Sequence, residues 1–132
     1  NNTDIHFHEV NILAPADSLA LSQFDLIVSN PPYIPHNEKH LMPDQVKKYE
    51  PQLALFVENE DALLFYQTIV AFAKQHLTPG GWLLFETNEF NAEEVVDLFP
   101  KDTFDPVELR QDILGKDRMV GGRKKTESLA LK

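Results

Sequence analysis

The chain has 132 residues, 42% of them hydrophobic and 25% charged, the balance of one globular domain. Twelve Lys and Arg stand against 21 Asp and Glu, a net charge of −9, and Cys is absent. That acidity argues against a general nucleic-acid binder, and the lack of Cys removes disulfide and thiolate chemistry. No apolar run approaches the roughly 20 residues needed to span a bilayer, and no signal peptide opens the chain, so a cytoplasmic location is expected. The chain opens on Asn1 and enters a strand pattern almost at once, which reads as a piece of something longer.

In chain order, partial period-2 alternation over 5–12 predicts a strand, and 14–23 a linker. The nearly continuous apolar run over 24–29 predicts a second strand, covered on both faces as in a parallel sheet. Asn30-Pro31-Pro32-Tyr33 follows immediately. At average residue usage this tetrapeptide arises in a chain of this size on the order of a few times in ten thousand. A Pro-rich turn leaving a strand is the plain reading. The alternative is functional: two prolines remove donors and stiffen the chain, leaving acceptors and an aromatic ring where open α/β sheets bind ligands. Such a tip suits a flat –NH2 group, which has two hydrogens to place and a face to stack.

A long polar connection from Pro35 to Asn59 is more typical of a lid or binding loop than of a scaffold. Leu63, Tyr66, Val70, Ala73 and Leu77 form one face of a helix over 61–77, which Thr78-Pro79-Gly80-Gly81 is expected to stop. Trp82 to Phe85 reads as another strand covered on both faces. Asn91, with Glu94 in capping-box position, opens a helix ending at Pro100. Val107, Leu109, Gln111 and Ile113 alternate, and the 118–123 segment follows Gly115, predicting a closing antiparallel pair. Residues 126–132 read as a frayed tail. Arg110, Lys116, Arg118, Arg123, Lys124 and Lys125 cluster late in the chain and read as a solvated face.

Asn30-Pro31-Pro32-Tyr33-Ile34 resembles the signature of amino-methyltransferases that use S-adenosylmethionine. Tyr49-Glu50-Pro51 with Ala54-Leu55, then Asp112-x-x-Gly115-x-x-Arg118 and Gly122-Arg123, resemble the HemK/PrmC branch in order and spacing. The similarity runs from about Ile5 to Lys125. It implies an α/β fold, the three-layer Rossmann-like class I methyltransferase, here truncated to strands three to seven of a sheet ordered 3-2-1-4-5-7-6 with strand seven reversed. Residues 1–125 then form the C-terminal portion of the catalytic domain and 126–132 a tail. It also implies transfer of a methyl group to the side-chain amide of the glutamine in the Gly-Gly-Gln loop of peptide-chain release factors. The acidic-x-Gly-x-Gly-x-Gly turn that cradles the cofactor in that family is not in the sequence, so the piece itself is expected to be inactive. Strand four is left with a bare edge, for which a dimer, a swapped strand or direct pairing with strand three is expected.

On this resemblance the catalytic residues are Asn30, Pro31 and Tyr33. Asn30 Oδ1 and the Pro31 carbonyl would accept the amide hydrogens, and Tyr33 would stack on the amide plane. Pro32, Glu50 and Pro51 join them in substrate binding, though Glu50 and Pro51 equally fit an exposed loop anchor. Asn11, where the family usually has Asp, would accept from the adenine amino group beside Ile12, with Asn30 completing the cofactor contacts; Asn11 and Ile12 also read as ordinary strand-end residues. Glu86 is a cofactor-side or structural carboxylate. His6, His8, His36 and His40 lack the partners of a metal site, and no metal is expected. The alternatives are a ribosomal-protein glutamine methyltransferase, an adenine-N6 DNA or RNA methyltransferase that flips its base into the same pocket, and a non-catalytic binding module.

Overall fold

A computed structural model describes residues 2–14, 23–32, 34–35, 56–57 and 63–126. Its elements are β1 (Phe24–Ser29), β2 (Ile34–Pro35), β3 (Phe56–Val57), α1 (Leu64–His76), β4 (Leu77–Glu86), α2 (Ala92–Asp97), β5 (Phe104–Gln111) and β6 (Asp117–Lys124). The main sheet runs β1-β4-β6-β5. β1 and β4 are parallel, and β6 is antiparallel to both β4 and β5. This is the 4-5-7-6 half of the expected order, with the seventh strand reversed. The carboxyl ends of β1, β4 and β5 therefore share one end of the sheet. The long connection between β1 and α1 starts and finishes in a feature no local pattern announced: β2 and β3 pair in parallel, Ile34 with Phe56 and Pro35 with Val57.

α1 forms because Tyr66, Ile69, Val70 and Ala73 make one buried stripe. Its end differs from the expected Gly-stopped turn. Leu77 is already extended, and Thr78-Pro79-Gly80-Gly81 lies inside β4. Phe24 pairs with Leu77 and Leu26 with Trp82, so β4 advances five residues while β1 advances two. Gly80, at φ +84°, permits the bulge.

α2 occupies the predicted place, but Asn91 makes no side-chain cap. Asn88 Oδ1 instead accepts from the Phe90 N–H at 2.9 Å, fixing the turn that leads into the helix.

Both helices pack on one face. Leu83, Phe85 and Val120 point into it together with Phe99 and Phe104. Tyr66 meets Phe85 edge-on at 5.0 Å, and Phe99 meets Phe104 likewise at 5.1 Å. Burying each such side chain contributes about 1.5–3 kcal/mol. The opposite face is bare among the described residues: Leu26 is 53% and Val28 68% exposed. Cover on both faces, expected from the apolar runs, is therefore not present in this part of the chain, because α1 and α2 both lie on the Leu83 side.

Residues 2–14 contain no strand, and Ile5 and Phe7 are exposed. A lone extended segment has no ladder to satisfy its backbone groups, and partial alternation does not supply one. Direct pairing of this segment with β1 is accordingly not formed. Ile113, expected to continue β5, lies in the turn beyond Gln111 and is fully exposed.

Candidate active site

The pairing of β1 with β4 sets the site. Ser29 lies opposite Phe85, so Asn30 and Pro31 leave the sheet level with Glu86 and Thr87, at the carboxyl end of both strands. Asn30 is exposed, Pro31 buried and Pro32 half-buried. A proline brings no N–H that burial would leave unpaired, so Pro31 anchors the tip at little cost. Asn30 stands in solvent directly before that anchor. Tyr33, Glu50 and Pro51 lie outside the described residues, as do His36 and His40.

Asn11 is exposed, and its side chain serves its own turn. Oδ1 accepts from the Leu13 N–H and the main-chain carbonyl from the Ala14 N–H, each at 3.0 Å. Ile12 is half-buried and packs against the core. The expected strand end is thus a local turn, because Asn side chains compete well for nearby backbone donors. Among the described residues the glycines with positive φ are Gly80, in the β4 bulge, and Gly115, in the β5–β6 turn; neither opens a helix.

Glu86 is exposed at the end of β4, and its carbonyl accepts from Tyr66 OH at 3.2 Å. Its side chain borders a hollow of about 770 Å³ lined by Leu26, Val28, Trp82, Leu84 and Met119. That hollow is the uncovered sheet face, and Asn30 and Pro31 take no part in it. His6 and His8 are exposed, and the described residues contain no metal-binding cluster.

Thr87 Oγ1 and Asn91 Oδ1 are buried without a hydrogen-bond partner among the described residues. Sequence reasoning missed both as interior polar groups. The inward parity of Leu83 and Phe85 on β4 was the available signal for Thr87.

The motif Asp112-x-x-Gly115-x-x-Arg118 is a self-locking hairpin turn. Asp112 Oδ1 accepts from the N–H groups of Leu114 (2.8 Å) and Lys116 (3.1 Å), and Oδ2 faces Arg118 Nε at 3.5 Å. Gly115 supplies φ +81°. The Lys116 N–H, then the Leu114 N–H and Arg118, hold the carboxyl below its ordinary 3.8, against an opposing desolvation. In Gly122-Arg123, the glycine leaves room for the Phe99 ring, and Arg123 Nε donates to the Gly80 carbonyl at 3.1 Å.

The late basic cluster is largely spoken for. Arg110 pairs with Glu108 (3.0 Å) and Lys116 with Glu89 (2.8 Å), while Lys124 Nζ donates to the carbonyls of Lys74 and Leu77, both at 2.8 Å. With Arg118 and Arg123 already engaged, five of the six cations bind within the chain.

No family model matches the chain. Individual proteins do match it. It is 46% identical over 120 residues to a release factor glutamine methyltransferase of Flavobacterium psychrophilum, covering 91% of this chain and 41% of that one. It is similar in sequence to release factor glutamine methyltransferases and to bifunctional methyltransferases. A second such methyltransferase, from Bacteroides thetaiotaomicron, is 40% identical over 105 residues, covering 80% of this chain and 38% of its own length. The fold agrees. A crystal structure of a release factor-specific protein-(glutamine-N5) methyltransferase from Alicyclobacillus acidocaldarius superposes with TM-score 0.50 at 25% identity, over 78% of this chain and 50% of that one. The sheet is thus a truncated Rossmann-like methyltransferase fold, and the chain spans about two-fifths of the length of these methyltransferase relatives.

Proposed function

We propose that this chain is the acceptor half of an enzyme that moves a methyl group onto the side-chain amide nitrogen of glutamine in peptide-chain release factors. The observation that carries the reading is the exposed Asn30 held by a buried Pro31 at the carboxyl end of β1. The names of the relatives supply the substrate class.

A carboxamide nitrogen is a poor nucleophile, since its lone pair is delocalised into the carbonyl. The protein's task is to hold both N–H groups and aim the nitrogen. Asn30 Oδ1 and the Pro31 carbonyl accept the two hydrogens, with Tyr33 stacked on the amide plane. Rate comes from orientation and fixed dipoles rather than from a titrating base, and the one N–H proton the amide loses on gaining the methyl passes to water. Pro32, Glu50 and Pro51 border the substrate. The donor is S-adenosylmethionine, which supplies a methyl already activated on sulfonium. Asn11, Ile12 and Asn30 would flank its adenine end, and the 132 residues alone are expected not to turn over.

The adenine reading needs cations for phosphate, and five of the six in the basic cluster are engaged within the chain. The test is mass spectrometry of a release factor incubated with the intact enzyme and labelled donor. One methyl on the glutamine of the Gly-Gly-Gln loop is expected; an unmodified glutamine beside a labelled nucleic acid would reverse the assignment.

A further inference from the structure

The register that brings Asn30 to the end of β1 also brings the β5–β6 turn to that end. Glu86 pairs with Met119, and Met119 with Arg110, so residues 112–116 project beyond the same edge of the sheet as Asn30. At the tip stand two adjacent branched apolar side chains, Ile113 fully exposed and Leu114 78% exposed. Phe90 is also exposed, in the segment after β4, and the Lys116–Glu89 ion pair at 2.8 Å ties that segment to the turn. The tip is not loose: Asp112 accepts from two of its N–H groups, Gly115 takes the left-handed conformation, and the Asp112 N–H donates to the Lys116 carbonyl at 2.8 Å. A turn held by three hydrogen bonds of its own while presenting Ile-Leu to water is preorganised for contact.

We infer that Ile113, Leu114 and Phe90 dock the protein that carries the acceptor amide, as an apolar rim beside the reacting end. This rests on the proposed methyl transfer to a protein side chain. The geometry selects a protein over a small amide. At about 4.8 Å per strand, the turn sits roughly 10–14 Å across the sheet from β1. An ordinary protein interface of about 800 Å² per partner is roughly 30 Å wide and covers both places at once. A free glutamine, or a short peptide of three residues centred on it at about 3.4 Å per residue, reaches neither Ile113 nor Leu114 when seated at Asn30. The contact is apolar in character, because Lys116 and Arg118 beside the tip are already paired.

The test compares two substrates in the intact enzyme carrying Ile113→Ser with Leu114→Ser. With the whole release factor, KM should rise about tenfold, as for loss of an apolar anchor. With a short peptide holding the same glutamine, KM and kcat should match wild type, and Tm should be unchanged. Equal loss on both substrates, no loss on either, or a lowered Tm (which would mean the tip packs inside the enzyme) each overturns the docking role. Wild-type inactivity on both substrates would overturn the proposed function itself, and the docking role with it.

Discussion

Gly122 faces Phe99 so closely that a Cβ on the strand would overlap the ring. Phe99 in turn meets Phe85 and Phe104 edge-on, with ring centroids at 6.0 and 5.1 Å. Gly122→Ala should cost about 1–3 kcal/mol by overpacking. Denaturant melts of the intact protein read the loss, and Phe99→Leu in the same chain should recover part of it. An unshifted midpoint would mean the ring yields freely.

Asp112 makes the hairpin's stability depend on acid. Its folded pKa lies below 3.8, so the ionised carboxyl stabilises the fold above that value. The contribution is lost as pH falls through the lower, folded value. Asp112→Ala should reduce Tm at neutral pH, and the gap to wild type should narrow progressively below pH 3.8. A gap that widens in acid would contradict the sign.

Thr87 Oγ1 has no partner among the described residues and is fully buried. Replacing an unpaired hydroxyl by a methyl removes a desolvation penalty and no bond. Thr87→Val should therefore leave stability within about 0.5 kcal/mol of wild type or raise it. A loss near 2 kcal/mol in chemical denaturation would reveal a bond formed elsewhere in the intact protein.

The engaged cations predict poor nucleic-acid binding. Affinity for DNA or RNA at near-physiological salt should be no better than the non-specific range of about 10⁻⁴–10⁻⁶ M. Fluorescence anisotropy against salt would measure it. Tight binding with a steep salt slope would reopen the adenine reading.

What the residues announced beforehand follows from range. β1 was legible as an apolar run, and α1 and β5 because each carries its own periodicity, whereas Asp112-x-x-Gly115 was read as a family motif and its role as a turn came from the structure. The 5–12 segment misled, since alternation describes a strand's faces but not whether an edge exists to receive it. Asn91 misled because its side chain is buried, with Oδ1 meeting no partner among the described residues instead of an N–H of the helix's first turn. The β4 bulge was hidden too: a Pro-Gly-Gly run looks the same whether it ends a helix or kinks a strand. At the site, the position of Asn30 could be read from the strand before it, whereas Asn11 Oδ1 turned inward to its own loop.

The most direct measurement is the rate of methyl transfer to release-factor glutamine by the intact enzyme carrying Asn30→Ala, scored against its folding. A drop of about 10²-fold or more in kcat at unchanged Tm is expected, as when one preorganised hydrogen-bonding group is removed from an active site. Near-normal kcat in that variant would mean the amide is held by something other than the end of β1.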